Sequence, residues 1–292
     1  MRPNLLIFGF GYTASFLAKK LAVMGFHVTG TSRNKEPILK HNETDYELIN
    51  FTRVDIEKSL STATHILVST PPSVDLGDPV LASFVDLIKQ YAHQYHWLGY
   101  LSSTGVYGDH QGNWVDESSA SLCLGQQAKL RLAAENAWHS LAENHQLPLH
   151  IFRIAGIYGP QRNVLTRIAQ GKTQSIYKEN HCFSRIHVED IVEVLIASIK
   201  NPNPISIYNV ADDEPTPSYE VDAYAAHLLN MQKKKKIPFE LATLSPMTKE
   251  FYANHRRVSN TKIKQELLVK LIHPTYKEGL QSLLDIDVRQ GF

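Results

Sequence analysis

The sequence predicts an α/β fold: a doubly wound parallel sheet with a smaller, interleaved C-terminal cap. Three observations predict it. Apolar strand patterns alternate with helical patterns through the first half of the chain, which implies parallel strands with helices on both faces. A glycine-rich turn joins the first strand to the first helix. After Gly159 the rhythm gives way to short helices, polar loops and prolines.

The elements follow in order. "NLLIFGF" reads as a buried strand, and "ASFLAKKLAVM" as a helix with Phe16, Leu17, Leu21 and Met24 at roughly helical spacing. Gly25 follows as its C-terminal stop. "FHVTGTS" and "THILVST" are the next strands, the latter ended by Pro71 and Pro72. "VLASFVDLIKQYAHQY" is a helix, "WLGYLSS" a strand, "LRLAAENAWHSLAEN" a helix and "LHIFRIAGIYG" a further strand. Beyond it come a short helix in "PQRNVLTRIAQ", a strand end running into a helix in "SRIHVEDIVEVLIASI", the strand "SIYNVAD" and a helix over about 218 to 230. These place a sheet domain in residues 1–159, with later sheet elements near 184–212, and a mainly cap-forming region in 160–292.

Composition excludes several classes. Of 292 residues, 43% are apolar and 20% charged, as in soluble globular proteins. The net charge of +1 supplies no global field for nucleic acid or an anionic membrane. The run Lys233 to Lys236 is the only dense basic patch and reads as a solvated loop before Pro238; it alone would support an RNA-binding reading. Cys123 and Cys182 make no disulfide framework and fit a reducing cytosol. The fourteen histidines show no metal-binding spacing, so no metal is expected. Met1 runs directly into an apolar strand, and no apolar run is long enough for a bilayer, so a cytoplasmic location is expected.

In "IFGFGYTASFLA", Gly9, Gly11 and Ala14 stand at Gly-x-Gly-x-x-Ala spacing between strand and helix. Gly9 permits the tight turn, Gly11 lets backbone approach a pyrophosphate, and a small residue at 14 lets the helix pack against the strand. Tyr12, Thr13 and Ala14 open the helix, where free N–H groups and the dipole hold phosphate. These residues point to a nicotinamide dinucleotide. The second strand ends in Ser32 and Arg33 rather than the acid that NAD-preferring sites usually carry. An arginine there can meet a 2′-phosphate, which favours NADP, with NAD as the alternative. Ser69, Thr70 and Pro71 end another strand at the same sheet edge, with hydroxyls suited to a cofactor ribose.

With the glycine-rich turn and "LSSTGVYG" both present, the chain resembles the short-chain dehydrogenase/reductase superfamily, whose fold is Rossmann-like. Its size and cap resemble the extended branch of nucleotide-sugar epimerases and dehydratases. "RIAGIYGP", "RIHVEDI", "YNVADDEP" and the tail "RRVSNTKIKQEL" with "HPTYKEGL" extend the likeness over nearly the whole chain and resemble the atypical NAD-dependent epimerase/dehydratase subgroup. The resemblance implies a catalytic hydroxyl at Ser103, four residues before the tyrosine of Val-Tyr-Gly. It also implies a tyrosine and a lysine four apart on the next helix. This chain has Gln127 and Arg131 instead. They share a helix face. Gln127 has no titrating group, while Arg131 can donate to ribose hydroxyls but stays charged. Lys129 lies on another side of the helix. Tyr107 is the first substitute acid/base, with Tyr158 a second. Asp190 reads as a helix-start acid.

The resulting expectation is an NAD(P)-binding epimerase, dehydratase or other oxidoreductase acting on a small-molecule, nucleotide-sugar-like substrate held by the cap. The alternative is an NADP(H)-binding sensor or scaffold without turnover. The intact turn and Ser103 favour the first; Gln127 and Arg131 favour the second.

Overall fold

The computed structural model describes residues 2–32, 46–171, 174–203, 205–233 and 235–290; Arg33 therefore lies outside the described residues. The strands are β1 (Asn4–Phe8), β2 (His27–Ser32), β3 (Tyr46–Asn50), β4 (His65–Val68), β5 (Trp97–Ser103), β6 (Trp114–Val115), β7 (Leu149–Ile154), β8 (Gly156–Tyr158), β9 (Ser175–Tyr177), β10 (Arg185–His187), β11 (Ser206–Val210), β12 (Lys236–Pro238) and β13 (Arg257–Val258). The α-helices are α1 (Tyr12–Val23), α2 (Arg53–Leu60), α3 (Pro79–Gln90), α4 (Gln126–His145), α5 (Val164–Ala169), α6 (Val188–Lys200), α7 (Ser218–Leu228), α8 (Pro246–Ala253), α9 (Thr261–Gln265) and α10 (Tyr276–Gln290).

The central sheet is parallel and has seven strands in the order β11-β7-β5-β4-β1-β2-β3. The strand order reverses its progression between β1 and β4, and this is the switch point at which such folds bind ligands. Leu5 to Phe8 of β1 and all of β4 are buried, as the continuous apolar runs predict for strands covered on both faces. Helix α1 turns Ala14, Leu17, Ala18 and Leu21 inward and ends before Gly25, whose φ of +88° makes the left-handed stop expected there. Asp78 caps α3, accepting the amides of Val80 at 2.9 Å and Leu81 at 3.0 Å. Its other oxygen accepts Trp138 Nε1–H from α4 at 3.0 Å, so one carboxylate starts one helix and anchors the next.

Two compact units divide the chain. One comprises Met1–Val106, Gln126–Arg153 and Val192–Tyr208; the other comprises Tyr107–Gly125, Ile154–Ile191 and Asn209–Phe292. In the second, Leu165, Ile168, Ala225, Tyr276 and Leu280 of α5, α7 and α10 form an apolar core. Parallel pairs β8–β10, β9–β12 and β6–β13 complete it.

The segment "LHIFRIAGIYG", expected as one strand, is two. β7 ends at Ile154, the Ala155 amide donates to the Val210 carbonyl at 3.0 Å, and from Gly156 the chain pairs with β10 instead. The alternating pattern is continuous across this point, so only the change of partner reveals it. β3 and α2 add a strand and a helix that the sequence pattern does not announce. Among the described residues, no helix is long and apolar enough to cross a membrane.

Candidate functional site

The glycine-rich turn is built as a cradle. Gly9 has φ +87°, and a Cβ on it would lie 2.9 Å from Thr70 Cγ2 and 3.0 Å from the Thr70 amide nitrogen. Any side chain there is excluded by both conformation and space. A Cβ on Gly11 would meet nothing within 4 Å, so its backbone stands open to a ligand. Gly11 is the N-cap of α1 and offers no side-chain cap, which leaves the first-turn amides of Thr13 and Ala14 without an intrahelical acceptor. Ala14 is fully buried, as close helix-to-strand packing requires. Thr31 clamps the turn from β2: its Oγ1 accepts the Gly9 amide at 2.9 Å, and its carbonyl accepts the Phe10 amide at 2.9 Å.

Beside the turn, the Ser69 amide donates to the Phe8 carbonyl at 2.8 Å, which continues β4 past its end. Ser69 is half-buried and Pro71 exposed. Thr70 Oγ1 is buried and has no hydrogen-bond partner among the described residues. A buried hydroxyl left unpaired costs about 1–3 kcal/mol, so an orphan beside an open glycine turn marks a place for a ligand group. These features fit the pyrophosphate and ribose of a dinucleotide. Ser32 is half-buried at the end of β2.

A second cluster joins α4 to β5. Arg131 is half-buried and donates to the Leu101 carbonyl at 2.8 Å and the Tyr100 hydroxyl at 3.4 Å. Its guanidinium stands 5.8 Å from the Tyr100 ring centre. Tyr100 is buried, and burial pushes its phenol up to about 12 although Arg131 pulls the other way; it holds its proton at neutral pH. Gln127, one turn earlier, is exposed, as is Lys129. One turn later, Glu135 is 2% exposed and ion-pairs with Arg153 of β7 at 2.8 Å, while the Ser102 hydroxyl donates to it. Ser103 ends β5. Its Oγ accepts the Gly105 amide at 3.1 Å, and among the described residues no acceptor takes its own proton. That proton remains available to a substrate oxygen.

Tyr107, in the second unit, is fully buried and donates its hydroxyl to Asn209 Oδ1 at 2.7 Å. The Asn209 amide in turn donates to Glu117 Oε1 at 2.7 Å. A phenol engaged in this way is a packing and hydrogen-bonding group. Tyr158 is 8% exposed, and burial, with Asp212 and Asp190 nearby, pushes its phenol far up. Asp190 stands in the first turn of α6 and accepts the amides of Ile272 at 2.6 Å and His273 at 3.2 Å.

Tyr158 also borders a cavity of about 550 Å³ in the second unit, with Arg162, Arg167, Arg185, Phe251 and Tyr276. Arg185 donates to the carbonyls of Phe183 at 2.9 Å and Thr216 at 2.8 Å. Arg162 and Arg167 are exposed at the rim. Asp212 lies just beyond β11, 1% exposed, and among the described residues neither carboxylate oxygen has a hydrogen-bond partner. Burial pushes it up to about 8, against the pull of the Arg185 guanidinium.

A carboxyl raised above its unfolded value near 3.9 stabilises the fold fully below that value and loses this contribution as pH rises through about 8. Asp212→Asn is therefore expected to gain stability over the parent, by a few kcal/mol at pH 8 and progressively less toward pH 4. Urea unfolding across that range checks it. Parallel midpoints at every pH would mean that Asp212 is ionised and paired with Arg185.

Thr31, Glu135 and Asp212 were not among the residues singled out from the sequence. Glu135 left a trace in "RLAAE", one turn after Arg131. The others depend on partners distant in the chain.

No family model matches the chain. It is 43% identical to a conserved protein of unknown function from Silicibacter pomeroyi DSS, whose solved structure matches with a TM-score of 0.90 over 97% of this chain and 99% of that one. It is 25% identical over 219 residues to Protein YeeZ of Escherichia coli K12, covering 71% of this chain and 77% of that protein. The dTDP-glucose 4,6-dehydratase of Bacillus anthracis, solved in complex with NAD, matches with a TM-score of 0.78 at 17% identity over 99% and 97% of the two chains; there the fold is what is shared. The chain thus shares the α/β fold of that dehydratase, and by its 43% identity over nearly the whole length it belongs to the family of the Silicibacter pomeroyi protein.

Proposed function

We propose that the chain is an NAD(P)-dependent oxidoreductase of the epimerase/dehydratase kind, acting on a nucleotide-sugar-like substrate. The observation that carries this reading is the Gly9 cradle with the orphaned Thr70 hydroxyl beside it. Gly9, Gly11 and the Thr13 and Ala14 amides would hold the pyrophosphate, and Ser69 and Thr70 a ribose. When bound, the nicotinamide supplies a hydride acceptor or donor. Arg131 takes the binding task of the missing lysine, fixed by the Leu101 carbonyl with N–H groups to spare for ribose hydroxyls. Ser103 donates to the substrate oxygen at the reacting carbon. The cavity has the volume of a small-molecule site, and Arg162 and Arg167 at its rim suit the phosphates of a sugar nucleotide.

One observation favours the second reading, a dinucleotide-binding sensor or scaffold. Gln127 does not titrate and Tyr107 is sealed against Asn209, so neither offers a proton to a substrate.

Calorimetric titration with NADP and NAD tests the reading. Both are expected to bind, NADP more tightly. Arg33→Ala should weaken NADP alone by roughly 10- to 100-fold, the equivalent of one charge-assisted contact. Arg131→Ala should weaken both. Failure of either dinucleotide to bind would overturn the proposal. Binding without turnover of any sugar nucleotide would favour the sensor.

A further inference from the structure

His187 closes β10, Glu189 lies in the first turn of α6, and His273 lies in the loop before α10. All three belong to the second unit. One donor atom of each lies within 4.8 Å of the other two. Glu189 Oε2 is 2.9 Å from His273 Nε2 and 3.7 Å from His187 Nδ1, and the two imidazole rings are centred 4.0 Å apart.

The setting favours a cation. Both imidazoles are buried, while the Glu189 side chain is 46% exposed and opens the cluster to solvent. The backbone is fixed from behind: Asp190 holds the amides of Ile272 and His273, tying the loop to the start of α6. His187 Nδ1 accepts the Glu189 amide at 3.3 Å, and its Nε2 is buried with no hydrogen-bond partner among the described residues. Both rings stand against one carboxylate oxygen, and an ion on His187 Nδ1 would replace only the 3.3 Å contact to the Glu189 amide.

We infer that His187, Glu189 and His273 form a binding site for a divalent transition-metal ion of the zinc class, with water completing the coordination on the exposed side of Glu189. Two imidazoles and one carboxylate are a zinc ligand set, and metal–ligand bonds of about 2.0–2.1 Å in a tetrahedron put donors roughly 3.3 Å apart. The separations of 2.9 and 3.7 Å bracket that value, and the exposed glutamate can adjust. Magnesium and calcium are disfavoured, since they select oxygen donors. The ion would clasp the loop carrying His273 to α6. Sequence spacing conceals the set because its histidines lie in a strand end and a remote loop.

The test uses the full chain, stripped of metal by chelator and dialysis, then titrated with zinc chloride by calorimetry. Native mass spectrometry counts the bound ions. One zinc per chain is expected, with no comparable binding of magnesium. Glu189→Gln and His273→Ala should each weaken zinc by at least about 10- to 100-fold, the loss typical when a partner of a metal ligand is removed. His139→Ala, at a half-exposed histidine in the other unit, should bind as the parent does. If His273→Ala does not fold, by circular dichroism, Glu189→Gln decides alone, because its exposed side chain is not needed for the core. Absence of stoichiometric zinc, or equal affinity in Glu189→Gln, would overturn the inference. Dinucleotide binding is not a readout, so this outcome is separate from that of the proposed function.

Discussion

Glu135→Ala is expected to destabilise the protein by about 3–5 kcal/mol, the usual consequence of leaving one member of a buried ion pair alone. Glu135 and Arg153 are 2% and 6% exposed in their side chains, and the Arg153 guanidinium faces the carboxylate through Nε and Nη2. The Ser102 hydroxyl donates to the same carboxylate. Alanine removes the acceptor of both and leaves a guanidinium in a closed site. Glu135→Gln keeps one acceptor oxygen and the shape, so a smaller loss is expected, about 1–3 kcal/mol. Urea unfolding measures both as midpoint shifts at constant slope. An alanine variant within about 1 kcal/mol of the parent would mean that water reaches Arg153 and the pair is not sealed. The location gives the pair a second consequence. Glu135 fixes α4 against β5 at Ser102, next to Ser103, and one turn from Arg131 on α4. Glu135→Gln should thus leave Ser103 and Arg131 better placed than Glu135→Ala does.

The part of the architecture that was legible in the sequence is the part in which local pattern and environment coincide. β1 and β4 are buried on both faces, so they appear as unbroken apolar runs. The glycine turn is legible because Gly9 and Gly11 each answer a local backbone demand, and the structure meets both through φ +87° and open space. β3 was passed over because only one of its five residues is buried, and α2 because it is short and polar, with only Ile56 and Leu60 inward. The break at Ala155 is set by the Val210 carbonyl, a partner far along the chain. Tyr107 illustrates the same limit at the level of chemistry. Its place in Val-Tyr-Gly suggests a reactive phenol, and Asn209, which engages it, lies about a hundred residues later. Gln127, Arg131 and Ser103 stand out only through the family resemblance, which gives their positions. That Arg131 is held by the Leu101 carbonyl, and that the Ser103 proton has no acceptor among the described residues, depends on the fold.

Ser103→Ala is expected to slow turnover by about 10²- to 10³-fold, the typical loss when one donor to a developing oxyanion is removed. The structure gives this hydroxyl two separable duties. Its oxygen accepts the Gly105 amide at 3.1 Å, which shapes the turn after β5. Its proton has no acceptor among the described residues and is free for a substrate oxygen. Alanine abolishes both. Losing the first should cost only about 0.5–1.5 kcal/mol of stability, because Ser103 is half-buried and water can replace it at the Gly105 amide. Losing the second should appear in kcat, because a hydrogen bond that strengthens as charge develops acts on the transition state more than on the bound substrate. Ser103→Thr keeps an Oγ hydroxyl and should restore most of the rate. Gln127→Ala, on an exposed position without a titrating group, should leave it unchanged. Steady-state rates for the three variants, on any sugar nucleotide that the parent proves to turn over, decide the matter. Full activity in Ser103→Ala would confine this serine to holding the Gly105 amide, and with Tyr107 already sealed against Asn209 it would move the balance toward a dinucleotide-binding protein without turnover.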